Sequence, residues 1–114
     1  MKILIIDDAQ YILDNTAMLL EFEGYEVITA HNGVEGVEKA FKEIPDLILC
    51  DVSMPQMDGF EVLKKVRANS TTTSIPFIFL SAFADSGNVR EGMNLGSDDY
   101  IVKPFDPMEL VARV

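Results

Sequence analysis

The chain reads as an α/β domain: a doubly wound, five-stranded parallel sheet with helices on both faces. Three observations predict it. Short, continuous apolar runs such as Lys2 to Ile6, Leu47 to Cys50 and Ile75 to Leu80 are bounded by turn residues, as strands buried on both faces are. Between the runs, apolar residues recur at helical spacing. The two kinds of segment alternate strictly, and a strand that returns parallel to the last does so through a helical crossover.

Lys2 to Ile6 is the first strand, and it ends in Asp7-Asp8. From Gln10 to about Glu23, Leu13, Ala17 and Leu20 mark the inner face of the first helix, which Gly24 stops. Tyr25 to Thr29 is a more polar second strand, as expected at a sheet edge. Asn32-Gly33 reads as a turn, and Val34, Val37, Phe41 and Ile44 mark one face of a second helix ended by Pro45. Leu47 to Cys50 is the third strand and meets a carboxylate, Asp51, where a loop begins; Pro55 and Gly59 forbid regular structure there. Phe60, Leu63 and Val66 mark a third helix, followed by a polar loop from Asn69 to Ser74. Ile75 to Leu80 is the fourth strand, ending in Ser81-Ala82. Asp85-Ser86-Gly87 opens a fourth helix that Gly92 weakens, since an interior glycine costs about 1 kcal/mol relative to alanine. Asp99 to Val102 is the fifth strand, ending in Lys103-Pro104, and Leu110, Val111 and Val114 begin a fifth helix still unfinished at the last residue.

At 114 residues the chain is expected to be one domain around one core. Its 19 acidic and 9 basic residues leave a formal charge of −10, which argues against direct nucleic acid binding, because phosphate contacts need basic patches. The single cysteine rules out an internal disulfide and a multi-cysteine zinc site. No apolar run is long enough to span a membrane, and the stretch before Asp7 is too short for a signal sequence. The expected location is cytoplasmic.

In open parallel sheets, ligands sit at the carboxyl ends of the strands. Asp7, Asp8, Asp51, Ser81 and Lys103 all stand at such ends. Two carboxylates about 5 Å apart repel by about 3 kcal/mol at an effective dielectric near 20, so three together call for a cation. Mg²⁺ suits oxygen ligands and commonly shares them with phosphate. Lys103 is a point-charge partner for a phosphoryl group, and the Ser81 hydroxyl is a donor to its oxygens. With the charges balanced, one carboxylate is available as a nucleophile, and aspartyl-phosphate formation is a known use of that group.

Asp7-Asp8 after an apolar strand, Asp51 followed by Met54-Pro55 and Asp58-Gly59, Ser81-Ala82, and Lys103-Pro104-Phe105 occur in this order along the whole chain. The set resembles the receiver domain of two-component response regulators. The resemblance implies a flavodoxin-like sheet of order 2-1-3-4-5 and one receiver domain over residues 1–114 with a truncated last helix. It implies that Asp51 is the phosphoacceptor, with Mg²⁺ (or Mn²⁺) held by Asp8 and Asp51, by Asp7 mainly through water, and by the Ser53 backbone carbonyl. Lys103, Ser81 and the backbone amides of Ser53 and Ala82 would bind the phosphoryl group. Ser81 and Tyr100 would form the switch, and the Lys103-Pro104 bond would be cis. A bulky Phe83 would shield the acyl phosphate from water. Two departures stand out: Ser81 where threonine is also common, which loosens the switch, and Ser97 where alanine is frequent.

The implied function is a phosphoacceptor that takes phosphate from a histidine kinase or histidine phosphotransfer protein and catalyses only its own phosphorylation and dephosphorylation. The implied output or homodimer surface is the face made by the fourth helix, fifth strand and fifth helix. Three rivals are a Mg²⁺-dependent aspartyl-phosphate phosphatase or phosphotransferase, a flavin-binding module, and a phosphorylation-independent docking module. No second acid placed for turnover supports the first, and Asp7-Asp8 stands where a flavin phosphate loop would want Gly, Ser and Thr. The full set of charged site residues argues against the third. Outside the set, Cys50 reads as a buried strand thiol, His31 as a solvent-exposed residue beside a turn, and Met54 and Met57 as packing or partner-surface residues.

Overall fold

The computed structural model describes residues 1–52, 54–81 and 99–102. The elements are β1 (Lys2–Ile6), α1 (Gln10–Phe22), β2 (Glu26–Ala30), α2 (Gly33–Glu43), β3 (Leu47–Asp51), α3 (Gly59–Ala68), β4 (Phe77–Ser81) and β5 (Asp99–Val102). The strands form one parallel sheet of order β2-β1-β3-β4-β5, as expected. The fourth and fifth helices and the face they would make with β5 fall outside the described residues.

The strand residues sort by parity, because successive side chains point to opposite faces. Leu4, Ile6, Ile48, Cys50, Phe77 and Phe79 join one core with residues of α2 and α3. Ile3, Ile5, Leu47, Leu49, Ile78 and Leu80 join the other with Leu13, Ala17 and Leu20 of α1. Helices therefore cover both faces, which is why β3 is buried along its whole length. Phe60 of α3 and Phe77 each meet Phe79 edge-on at 5.1 Å between ring centres.

Most helix and strand ends have a physical cause. Gly24 takes φ +95° after α1, and the Gly24 and Tyr25 amides donate to the Glu21 and Leu20 carbonyls, the paired closure of a left-handed helix end. β2 starts one residue later than the sequence suggests, at Glu26, because this closure occupies Tyr25. It is an edge strand, half-buried along most of its length. β4 starts at Phe77 and not at Ile75, since Ile75 closes a turn onto the Thr72 carbonyl and Pro76 has no amide to donate. In the polar loop before it, Thr72 is fully buried, its hydroxyl donating to the Val66 carbonyl at 2.7 Å.

The second helix departs most from its apolar pattern. Val34, Phe41 and Ile44 are largely exposed, and the buried face is Gly33, Gly36, Val37 and Ala40. The small residues let α2 lie close against the sheet: a Cβ on Gly36 would stand 2.5 Å from Cδ1 of Ile6. Asn32-Gly33 is not a free turn either. Asn32 is the helix N-cap, its side-chain oxygen accepting the Glu35 amide at 2.8 Å. The C-cap, Ile44, takes φ +46° just before Pro45.

Candidate functional site

The pairing of β1 with β3 brings the acidic residues together. Ile6 stands opposite Cys50 in the register, so Asp7 and Asp51 follow at neighbouring strand ends. Carboxylate oxygens of Asp7, Asp8 and Asp51 all lie within 4.8 Å of one another. Asp7 and Asp51 are buried and Asp8 is exposed, so the cluster meets solvent on the Asp8 side. At that spacing each pair of ionised carboxylates repels by about 3 kcal/mol at an effective dielectric near 20. The donors are all hard oxygens, a set that fits Mg²⁺ or Mn²⁺ and not a thiol- or imidazole-seeking metal.

Local bonds hold these side chains. The Asp7 amide donates to the Ala30 carbonyl at 3.1 Å, which ties the end of β1 to the end of β2. An Asp7 carboxylate oxygen accepts the Ala9 amide at 3.0 Å. Asp7 thus braces the start of α1, although the N-cap residue is Ala9, which has no side-chain cap. Asp51 is the last residue of β3 and lies in the strand, not in the loop after it.

The segment after Asp51 is fixed by its far end. Asp58 is the N-cap of α3, its Oδ1 accepting the Glu61 amide at 2.9 Å, so Gly59 starts a helix where the sequence suggested irregular chain. The Gly59 amide donates to the Val52 carbonyl at 2.8 Å. A Cβ at Gly59 would run into the Asp51 carbonyl oxygen and stand 2.9 Å from Cα of Val52. Only glycine permits this approach, and it sets where the Asp51 backbone sits. Between them, Gln56 takes φ +69° and the Met57 amide turns back to the Pro55 carbonyl at 2.8 Å. Met57 in turn packs on α2, where a Cβ at Gly33 would stand 2.7 Å from the Met57 carbonyl oxygen. Both caps carry an acid three residues on, Asn32 to Glu35 and Asp58 to Glu61, which is the readable signature of a helix start.

Of the other expected site residues, Ser81 and Tyr100 are placed by their backbones, as the last residue of β4 and the second of β5. Tyr100 pairs with Phe79 and Ser81 with Val102. Ser53, Ala82, Phe83, Ser97, Lys103 and Pro104 lie outside the described residues. Cys50 is buried and Met54 is part of the core; Met57 packs against that core. His31 is exposed, but it pairs with Glu35, Nδ1 to Oε2 at 3.4 Å, while Lys39 reaches the other Glu35 oxygen at 3.0 Å. The Lys39 bond, with a smaller share from His31, holds the Glu35 carboxyl below the usual carboxylate value against the opposing effect of burial. No helix among the described residues is long and apolar enough to cross a membrane.

Comparison with known proteins agrees with this geometry. The family model for the response regulator receiver domain matches residues 3–114. Response regulator ArlR of Staphylococcus saprophyticus is 42% identical over 113 residues, covering 99% of this chain and 50% of its own length. The alkaline phosphatase synthesis transcriptional regulatory protein PhoP of Bacillus subtilis is 43% identical over 113 residues, 99% of this chain and 46% of its own. The solved structure of chemotaxis response regulator CheY4 of Vibrio cholerae aligns with a TM-score of 0.93 at 38% identity, over 98% of this chain and 93% of that one. The chain spans about half the length of the curated relatives it matches.

Proposed function

The chain belongs to the response regulator receiver family of two-component systems, and from that premise we propose that it is a Mg²⁺-dependent phosphoacceptor whose acceptor is Asp51. The observation that carries this reading is the convergence of Asp7, Asp8 and Asp51 within 4.8 Å at the ends of β1 and β3. Asp8 and Asp51 would hold the ion directly and Asp7 mainly through water, with the Ser53 backbone carbonyl as a further ligand. A bound Mg²⁺ (or Mn²⁺) would neutralise the acidic cluster and the charge of an incoming phosphoryl group.

Asp51 stands at the end of a strand buried on every position. Its carboxylate oxygen attacks phosphorus, the new O–P bond forms, and the P–N bond of a phosphohistidine donor breaks. The imidazole leaves and takes its proton from solvent. Lys103, Ser81 and the amides of Ser53 and Ala82 bind the transferred group. Hydrolysis then returns Asp51 to the carboxylate. The domain catalyses only this gain and loss of its own phosphate, so it is not an enzyme acting on a separate substrate.

The partner is a histidine kinase or a histidine phosphotransfer protein. Supporting this, α1 starts two residues after Asp8 and presents Tyr11, Met18 and Phe22, all largely exposed, on its outer side. An exposed apolar row on a helix that starts beside the acceptor suits a helical donor domain. Bound phosphate shifts a two-state equilibrium through Ser81 and Tyr100, and the shifted state acts on an output module or partner in the cytoplasm.

Incubation with acetyl phosphate and Mg²⁺, read by intact mass, tests the proposal. One base-labile phosphoryl adduct is expected on the wild type, none on Asp51→Asn, and none with a chelator present. An adduct that persists in Asp51→Asn, or that forms equally without metal, overturns it.

A further inference from the structure

The apolar row on α2 that the core does not use lines a groove. Val34 and Phe41 are 43% and 39% exposed, and with Val37 and Met57 they form one wall and the floor of an open groove of about 440 Å³ between α2 and α3. Glu38 stands on the α2 side and Lys65 on the α3 side. Both are exposed, and neither forms an ion pair among the described residues.

The charged residues that line the two walls are opposite in sign, Glu38 on α2 and Lys65 on α3. α2 carries three acids and two bases, and α3 carries one acid and three bases. Together they hold five of the nine basic residues of a chain whose formal charge is −10. A chain of formal charge −10 repels its own copies on average. Here each wall fits the opposite wall of another copy.

We infer that the α2–α3 groove is a self-association surface, closed by a second copy of this chain about a two-fold axis running along the groove. Such an axis lays α2 of one protomer on α3 of its partner. Glu38 then faces the partner's Lys65 twice, and Phe41 and Val34 cover the partner's groove. An interface of this kind is self-complementary, so one pairing occurs in two symmetric copies. Helices of this length are about 16 Å long, and two side by side offer roughly 300 Å² per protomer. A stable complex buries about 800 Å² per partner, so the dimer is weak and transient.

Sedimentation equilibrium tests the inference on the wild-type chain, Glu38→Lys, Lys65→Glu and the double charge swap, from about 10 µM to about 1 mM. Wild-type average mass is expected to rise toward the dimer at the top of the range. Each single variant places two like-charged pairs in its own dimer and is expected to associate about tenfold more weakly. The double swap restores association. An equimolar mixture of the two single variants also restores it, because one protomer then presents two lysines and the other two glutamates. Unchanged far-ultraviolet circular dichroism shows that these exposed substitutions leave the fold intact. A wild type that stays monomeric overturns the inference. So does association that ignores both reversals, which places the contact on another face. A mixture no stronger than its components also overturns it, because it excludes α2 packing on the partner's α3.

Discussion

Replacing Gly59 with alanine is expected to damage both the fold and the acidic site. The added Cβ meets backbone and not a side chain: it overlaps the Asp51 carbonyl oxygen and stands 2.9 Å from Cα of Val52 and 3.1 Å from the Asp51 carbonyl carbon. Ordinary contact needs about 3.5 Å or more, so the start of α3 must move away from β3 by at least about half an ångström. Overpacking of this kind costs about 1–3 kcal/mol. The shift also stretches the 2.8 Å bond from the Gly59 amide to the Val52 carbonyl, worth about 1 kcal/mol. Alanine returns at most about 1 kcal/mol in helix propensity. The net is a loss of about 1–3 kcal/mol, or a fall in Tm of about 4–12 °C in a domain this size. The variant stays folded, because domains are typically stable by about 5–15 kcal/mol. The assay is urea unfolding with a parallel Mg²⁺ titration followed by NMR. Gly24→Ala is the control: it has φ +95° but no atom within 4 Å of its added Cβ. It should lose about 1 kcal/mol from backbone strain and keep wild-type Mg²⁺ affinity. A Gly59→Ala protein that unfolds within the error of wild type and binds Mg²⁺ equally would refute the claim that this contact positions Asp51.

Three further outcomes follow from the same geometry. Asp8→Asn removes one of three carboxylates within 4.8 Å of one another, so in chelator it should be more stable than wild type by about 1 kcal/mol after solvent screening. It should also lose most of the stabilisation that wild type gains from Mg²⁺ in thermal melts; equal metal response in both proteins contradicts the site. Thr72→Val strips the donor from the buried Val66 carbonyl and should cost about 1–2 kcal/mol in urea unfolding, whereas a change under about 0.5 kcal/mol would show that water replaces the hydroxyl. The folded-state pKa of Glu35 is lowered, so its contribution is present above the unfolded value of 4.5 and is lost as pH falls through the folded value. Urea midpoints measured down through that window should fall less steeply in Glu35→Gln than in wild type, and parallel curves would remove Glu35 from the acid response.

The parts legible in the sequence are those where one physical effect dominates. β1 and β5 have the bounds their apolar runs suggest, and the inner face of α1 is the Leu13, Ala17, Leu20 row that its spacing marks. The three acids were placed by topology, since parallel strands put successive strand ends on one edge. Helical periodicity counts large apolar residues and so points to the wrong face of α2. Here the buried face is built on small residues, Gly33 against Met57, Gly36 against Ile6, and Ala40, which a hydrophobic pattern does not register. Thr72 was hidden for the converse reason: a hydroxyl bonded to a backbone carbonyl is buried at little cost, yet reads as loop. In the sequence Asp58-Gly59 reads as part of a motif and not as a helix start. The close approach that makes its glycine necessary comes from β3, a neighbour that the local sequence does not reveal.

The central claim is that the acceptor is Asp51 and not either of the acids beside it. Borohydride reduces an acyl phosphate to an alcohol, which turns a phosphorylated aspartate into homoserine. The protein would be phosphorylated with acetyl phosphate and Mg²⁺, reduced, digested and sequenced by mass spectrometry. The account predicts homoserine at position 51 alone, with Asp7 and Asp8 unchanged. Homoserine at position 7 or 8, or reduction at no aspartate in a protein that binds Mg²⁺, would contradict it.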